Sequence, residues 1–173
     1  MNNKLVIGSA QFGINYGIAN TIGQVKSEEV KKILNFALSE DITYIDTATS
    51  YGESEKVLGR LNVNRFQVIT KIPKIPNDQT NLYNWLESSV LESLNRLNVK
   101  TIHALLLHNP DDLLGAHGLA LYKGLKELKK KRIVKKIGIS VYSINEIKDI
   151  TNKYDVDIIQ CPFNLIDRSL VES

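Results

Sequence analysis

Four side chains that can exchange protons stand where apolar segments of the sequence end. Asp46 and Lys71 close two such segments, His108 follows a third, and Tyr51 lies in the loop after the first. In barrels built from parallel strands, chemistry collects at the carboxyl ends of the strands. Strand alternation allows the three strand-end side chains to point to the same side of the sheet. We therefore expect the four groups to converge on one site.

A phenol, an ammonium, a carboxylate and an imidazole together suit the reduction of a carbonyl. Hydride delivery leaves an alkoxide, which needs a proton donor within hydrogen-bond reach. The Tyr51 hydroxyl can donate that proton, and we expect the Lys71 ammonium to lower the Tyr51 pKa from about 10. Asp46 would fix Lys71 and balance its charge, while His108 would orient the carbonyl and stabilise negative charge on its oxygen.

The elements that must position these groups can be read from the apolar pattern. Short β-branched segments alternate with segments of helical period, which predicts βα units and a parallel sheet. The predicted strands are Leu5 to Ala10, Tyr44 to Ala48, Phe66 to Lys71, Ile102 to Leu107, Lys136 to Ser140 and Asp157 to Cys161.

Five helices are predicted between and after these strands. Apolar faces, caps and stop signals define them. The first follows Ser27 as N-cap, the second runs from Ser54 to Leu58 and stops at Gly59, the third carries Leu82 to Leu97, the fourth spans about Leu119 to Lys131, and the fifth opens with a capping box of Ser143 and Glu146.

The predicted strands begin about every 30 residues, which is the size of one βα unit. Eight such units need about 240 residues and form a (β/α)8 TIM-type barrel. We therefore predict an α/β barrel of which this chain supplies six units, truncated at Ser173 soon after the sixth strand. Unpaired edges at the first and sixth strands favour self-association.

Composition places the chain among ordinary globular proteins. Its 173 residues are 43% hydrophobic and 24% charged, which predicts one domain over residues 1–173 and excludes disordered and fibrous classes. The net charge of +3 comes largely from residues 126–136, where a helix end explains the cations. We expect no nucleic-acid partner, and no spacing of His, Cys and carboxylates suggests a metal site.

No targeting or membrane segment is expected. The sequence Met1-Asn2-Asn3-Lys4 leads into an apolar run too short for a signal peptide, and nowhere do about 18 apolar residues follow one another. The single Cys161 lies in an apolar stretch, which favours a packing role and a reducing compartment. Cytoplasmic localisation is the resulting expectation.

Two segments around these residues resemble the aldo/keto reductase family. Residues 46–59, reading DTATSYGESEKVLG, are similar to the family signature, and residues 105–111, reading LLLHNPD, to its fourth-strand motif. The resemblance covers the whole chain, because it extends to the ends of the first, third, fifth and sixth strands. Those further matches are Gly8 to Gly13, Thr70 with Lys71, Gly138 to Ser140, and Gln160 with Asn164.

The resemblance implies an enzyme that reduces an aldehyde or ketone, of sugar type among others, with NADPH. Tyr51 would be the general acid, Asp46 and Lys71 would tune it, and His108 would orient the substrate. Ser140 and Gln160 match positions that hold the nicotinamide carboxamide, and Gly8 permits close approach of the backbone to the cofactor.

Two departures from the family pattern keep an alternative open. Many members have Asn where this chain has Val141, so one amide contact to the cofactor is missing. The family grips the cofactor phosphates with loops after its seventh and eighth strands, beyond the six strands predicted here. The alternative is a catalytically silent barrel fragment with only a binding or structural role.

Overall fold

The computed structural model describes residues 4–77, 79–166, 168 and 170. It consists of six strands that alternate with helices. The strands are β1 (Val6–Gly8), β2 (Tyr44–Asp46), β3 (Gln67–Ile72), β4 (Ile102–Leu107), β5 (Val134–Ser140) and β6 (Ile158–Gln160). The helices are α1 (Ala10–Gly13), α2 (Ser27–Ser39), α3 (Ser54–Arg60), α4 (Leu82–Leu97), α5 (Gly118–Lys130) and α6 (Ile144–Thr151), with single 3-10 turns at Val63–Arg65 and Pro110–Leu113.

The six strands are all parallel and lie in the order of the sequence. Parallel crossovers are almost always right-handed, so a strictly sequential order places the helices on one face and curls the sheet. This is the arrangement of consecutive units in a (β/α)8 barrel. The predicted α/β class is therefore confirmed for six units. Residues 167, 169 and 171–173, where a seventh unit was expected to begin, lie outside the described residues.

The two outer strands of the sheet each have one partner in the part of the chain that the structure describes. β1 pairs with β2, and β6 pairs with β5. Val6 and Ile159 are 47% and 37% exposed at these edges. Self-association through the edges stays a prediction. In the same described ranges, no helix has both the length and the apolar character that a bilayer-spanning segment needs.

The apolar faces predicted for the helices pack on the sheet. In α2 the buried residues are Val30, Leu34 and Ala37, and these lie in one core cluster with Ile45 of β2. A second cluster joins α4 and α5 to strands β3, β4 and β5. The helices thus bury their apolar faces against the sheet, which leaves the strand ends free to carry polar groups.

Several predicted boundaries are wrong by a few residues. β1 ends at Gly8 rather than Ala10, because residues 10–13 form a helical turn closed by the Ile14 N–H donating to the Ala10 carbonyl. Helix α2 begins at Ser27 itself and its N-cap is Lys26, so the predicted Ser27 cap is wrong. The capping box of Ser143 and Glu146 is present at the start of α6.

Gly59 does not stop α3, as the sequence predicted, but lies inside it. The helix continues to Arg60, because Gly59 is needed for packing rather than for a turn. A Cβ atom added at Gly59 would lie 2.1 Å from the Arg96 carbonyl oxygen. Helices α3 and α4 therefore touch backbone to backbone at this point.

The close approach predicts an unusual sign for a helical glycine. Alanine normally stabilises a helix by up to about 1 kcal/mol relative to glycine, but Gly59→Ala is expected to destabilise the protein by about 1–3 kcal/mol through overpacking. Chemical denaturation would measure the free energy of unfolding. Gly115→Ala is the control, since its added Cβ would meet nothing closer than 3.8 Å. Equal stability of the two variants would contradict the packing.

A buried ion pair ties α3 to α4 beside the candidate site. Glu55 is 1% exposed, and its carboxylate accepts hydrogen bonds of 2.7 Å from Arg96 Nε and from the Thr70 hydroxyl. Thr70 directly precedes Lys71 in β3. The pair therefore connects both helices to the strand that carries the candidate lysine.

Candidate active site

Six of the seven predicted site residues line one cavity of about 220 Å³ at the carboxyl ends of the strands. Its lining consists of Asp46, Tyr51, Lys71, His108, Ser140 and Gln160, together with Tyr142, Cys161 and Pro162. Gly8 pairs in register with Asp46 but is not part of this lining. No atom lies within 4 Å of a Cβ added at Gly8, so its role toward a cofactor stays a prediction.

The Lys71 ammonium is the centre of the polar network in this cavity. Lys71 is 2% exposed, and Nζ donates to the two Asp46 carboxylate oxygens at 2.8 and 2.7 Å and to the Thr47 carbonyl at 3.1 Å. A buried ammonium needs such partners, since an unpaired one is costly. The cavity thus holds a charge-balanced pair.

Strand register explains why this pair forms. Asp46 at the end of β2 pairs with Ile69 of β3, and Lys71 lies two residues further along β3. Residues two apart in a strand share a face, so Asp46 and Lys71 point to the same side. The extra length of β3 brings the ammonium level with the loop that follows Asp46.

Tyr51 faces Lys71 from that loop. The Tyr51 hydroxyl lies 3.4 Å from Lys71 Nζ, and Nζ lies 5.1 Å from the centre of the phenol ring. The loop is held in place by Thr49, whose N–H and hydroxyl both donate to the Lys71 carbonyl at 3.0 and 3.1 Å. β3 therefore positions the phenol as well as the ammonium.

The expectation that the Tyr51 pKa lies below its usual value of about 10 is wrong for this structure. Burial, followed by the Asp46 carboxylate, raises the pKa of Tyr51 to about 12. Burial also lowers the pKa of Lys71 below its usual 10.5, against the opposing effect of Asp46. Both shifts disfavour the charged forms, as desolvation does. Tyr51 consequently keeps its proton throughout the neutral and mildly alkaline range.

His108 lies next to the phenol. Its ring meets the Tyr51 ring edge to face, with centres 6.0 Å apart, and the His108 backbone N–H donates to the Ile72 carbonyl at 3.1 Å. Nδ1 lies 3.1 Å from the Ser50 hydroxyl oxygen. Burial and Lys71 lower the His108 pKa below 6.5. The imidazole is therefore neutral at pH 7, with one donor and one acceptor nitrogen.

Ser140 and Gln160 lie side by side on neighbouring strands. They are paired in register between β5 and β6, and Gln160 Nε2 donates to an Asp46 carboxylate oxygen at 3.1 Å. This bond leaves the Gln160 amide oxygen as an acceptor, and the Ser140 hydroxyl carries a proton that it can donate. A primary carboxamide needs one partner of each kind, so these two residues fit the carboxamide of a nicotinamide.

Val141 occupies the position at which many members of the family that the sequence resembles have Asn. Val141 is 0% exposed, and its side chain packs in the larger apolar core. It therefore makes no polar contact with the cavity. The structure therefore agrees with the sequence that this position offers no amide to the cavity.

Sequence reasoning missed the residues that support the site from behind. Ser9, Thr47 and Ser54 are buried polar residues, joined by hydrogen bonds beside Asp46. The available signal was the small polar residues near the ends of the first two predicted strands and at the predicted start of the second helix. Cys161 contacts the apolar core, as its predicted packing role requires, and it also lines the cavity.

Comparison with known proteins identifies the family to which this site belongs. The sequence model described as the Aldo/keto reductase family matches residues 4–173. The chain belongs to the aldo/keto reductase family. The resemblance seen in residues 46–59 and 105–111 is thereby confirmed over nearly the whole chain.

Curated members of the family include relatives from yeast and bacteria. The chain is 29% identical to D-arabinose 1-dehydrogenase of Saccharomyces cerevisiae over 154 residues, which cover 84% of this chain and 44% of the relative. It is 28% identical to methylglyoxal reductase DkgA of Escherichia coli K12 over 159 residues, which cover 90% and 56%. The chain thus spans about half the length of these relatives.

A solved aldo-keto reductase shares the fold. The structure of the holo form of aldo-keto reductase AKR11C1 from Bacillus halodurans matches 92% of this chain and 53% of its own, with a TM-score of 0.71 and 20% identity. At this identity the match concerns the fold alone. It agrees with the six-unit portion of a (β/α)8 barrel described above.

Proposed function

We propose that this aldo/keto reductase chain forms the site of an NADPH-dependent oxidoreductase that reduces an aldehyde or ketone to an alcohol. The observation that carries the proposal is the set formed by Asp46, Tyr51, Lys71 and His108. A protonated phenol lies 3.4 Å from a buried ammonium that a carboxylate holds on both oxygens. A neutral imidazole stands across the same cavity.

The proton in this reaction comes from Tyr51. The phenol stays protonated because burial raises its pKa to about 12, and the alkoxide that forms on the substrate is more basic still. As the proton leaves Tyr51, the Lys71 ammonium stabilises the phenolate that remains. Asp46 keeps Lys71 charged and in place. A His108 N–H donates to the carbonyl oxygen and orients it.

Ser140 and Gln160 would hold the nicotinamide through its carboxamide. Bound NADPH supplies the hydride. The bond from Gln160 Nε2 to Asp46 fixes which end of the Gln160 amide faces the cavity, so its oxygen is presented as the acceptor. The residues that we propose for the carboxamide thus lie next to those that we propose for the carbonyl.

The substrate class that we propose is a short carbonyl compound. The cavity of about 220 Å³, which Tyr142 and Pro162 also line, would be shared with the nicotinamide and so suits a short substrate rather than a bulky one. The named relatives act on a pentose and on methylglyoxal according to their names. Short aldehydes, α-oxoaldehydes and aldoses are therefore the compounds to test.

The experiment is a turnover assay of the purified chain with NADPH and these carbonyl compounds. The proposal expects loss of NADPH absorbance that depends on the carbonyl and disappears in Tyr51→Phe. A folded chain that oxidises no NADPH with any of the compounds would favour the catalytically silent alternative. Turnover that survives Tyr51→Phe would reject Tyr51 as the proton donor.

The pH dependence of turnover should show that the Lys71 ammonium must be protonated for activity. The Lys71 pKa lies below 10.5 and the Tyr51 pKa is about 12, so a rising pH removes the Lys71 proton first. Activity is then lost as pH increases, with a midpoint below 10.5 that belongs to the ammonium. A pH profile of kcat/KM, which reports groups of the enzyme before the carbonyl compound binds, measures this limb. A profile that stays flat up to pH 10.5 would contradict the prediction.

A further inference from the structure

Three buried hydroxyl groups lie behind the pair of Asp46 and Lys71. Ser9 follows β1, Thr47 follows β2 and Ser54 begins α3, and all three are 0% exposed. Ser54 Oγ lies 2.8 Å from Ser9 Oγ, 2.9 Å from the Ser9 carbonyl oxygen and 3.1 Å from Thr47 Oγ1. These residues, here called the hydroxyl cluster, join three elements at one point.

The protons of the hydroxyl cluster can be assigned by counting. Ser9 Oγ donates its one proton to the Asp46 carbonyl at 2.9 Å. Ser54 must therefore donate to Ser9, sharing its proton between the Ser9 hydroxyl and carbonyl oxygens, and Thr47 must donate to Ser54, because each hydroxyl has a single proton. The bonds form a directed chain from Thr47 through Ser54 and Ser9 to Asp46. Ser54 is its middle member.

This chain ends on the backbone that holds Lys71. The Asp46 carbonyl accepts from both the N–H of Ser9, at 3.0 Å, and its hydroxyl. The next carbonyl, that of Thr47, accepts from Lys71 Nζ at 3.1 Å. Moving the peptide between these residues would shift the Asp46 carboxylate and the third acceptor of Lys71 together.

Ser54 also fixes the loop that carries Tyr51. The Ser54 N–H donates to the Tyr51 carbonyl at 3.0 Å. The backbones are tightly packed here, since a Cβ added at Gly13 would lie 1.8 Å from the Tyr51 carbonyl oxygen and 2.3 Å from the Ser54 nitrogen. One residue therefore contacts both segments that bring the phenol and the ammonium together.

We propose that Ser54 is a positioning residue, whose hydroxyl holds the backbone at Asp46 and Thr47 so that Lys71 and Tyr51 keep their contact. The effect of Ser54 on catalysis rests on the proposed function. The effect of Ser54 on the position and pKa of Lys71 concerns only the chain without ligands. The two effects can therefore be tested separately.

Three variants separate positioning from ordinary stability. Ser54→Ala removes the middle of the chain and leaves the buried Thr47 hydroxyl without an acceptor. Thr47→Val keeps the shape and removes only the first donor, so its effect should be smaller. Ser93→Ala is the matched control, because Ser93 is also 0% exposed but bonds to Arg96 on α4.

The first measurement is the titration of Lys71 in the full chain without ligands, by NMR of 13C-labelled lysine with Lys71→Met for assignment. Ser54→Ala should lower the Lys71 pKa further, because the Thr47 side chain then loses its anchor and the Thr47 carbonyl can move away from Lys71 Nζ. Thr47→Val should shift it less, and Ser93→Ala should leave it at the wild-type value. If Ser54→Ala does not fold, the Lys71 pKa of Thr47→Val is compared with that of Ser93→Ala. A lower Lys71 pKa in Thr47→Val supports the proposal, and equal values overturn it.

The second measurement is turnover. Ser54→Ala should lower kcat roughly tenfold to a hundredfold by misplacing the reacting groups, leave KM for the carbonyl unchanged, and move the alkaline limb to lower pH. A folded Ser54→Ala with the wild-type Lys71 titration would overturn the proposal. Should the wild-type chain not turn over at all, the proposed function fails, while the NMR titration still decides on Ser54.

Discussion

Lys71→Met is expected to lower the free energy of unfolding by about 3 kcal/mol and kcat by roughly a hundredfold to ten-thousandfold. The substitution leaves the Asp46 carboxylate without its counter-charge, and the Asp46 side chain is only 14% exposed. Because some water reaches it, the loss of stability should fall at the lower end of the range for broken buried pairs. Chemical denaturation and steady-state kinetics measure the two effects.

A matched pair on the surface provides the control. Lys56 and Glu53 form an ion pair of 2.8 Å whose side chains are about half exposed, so Lys56→Met should cost less than about 1 kcal/mol. The double variant Asp46→Asn with Lys71→Met should regain stability without regaining turnover, because an amide needs no counter-charge. Equal losses for Lys71→Met and Lys56→Met would contradict the buried pair.

Tyr51→Phe is expected to lower kcat by roughly a hundredfold to ten-thousandfold while the folded structure and NADPH affinity stay nearly unchanged. The substitution keeps the ring that His108 contacts and removes only the proton donor. Steady-state kinetics and calorimetric NADPH titration separate the two quantities.

Tyr122→Phe is the control for loss of a tyrosine hydroxyl. That hydroxyl donates to the Asp155 carbonyl at 3.1 Å and is exposed, away from the residues that line the cavity. We expect it to leave kcat unchanged. A loss of cofactor affinity in Tyr51→Phe as large as its loss of kcat would show that the phenol binds rather than donates.

The convergence of the four reactive residues could be predicted because it depends on local rules. Strand alternation fixes the face of Lys71, and parallel pairing brings the end of β2 next to β3. Those two facts alone place the Asp46 carboxylate near the ammonium. The same reasoning places His108 at the end of β4. Its backbone N–H donates to the Ile72 carbonyl and so continues the hydrogen bonds between β3 and β4.

What could not be predicted depends on contacts between distant parts of the chain. The bond from Gln160 to Asp46 joins residues 114 positions apart, and the contact of Gly59 with α4 depends on how two helices cross. The Tyr51 pKa was predicted in the wrong direction because a neighbouring ammonium is visible in the sequence, whereas burial of the phenol is not. The hydrogen bonds of Ser54 to Ser9 and Thr47 could not be predicted either, because the sequence does not show which buried hydroxyl groups meet.

Calorimetric titration of the purified chain with NADPH tests whether the cavity residues form one site for a nicotinamide and a carbonyl. We expect saturable binding at one site per chain, weakened in Ser140→Ala and Gln160→Leu and nearly unchanged in Tyr51→Phe. A folded chain that takes up no NADPH, or binding that is indifferent to both Ser140 and Gln160, would contradict it.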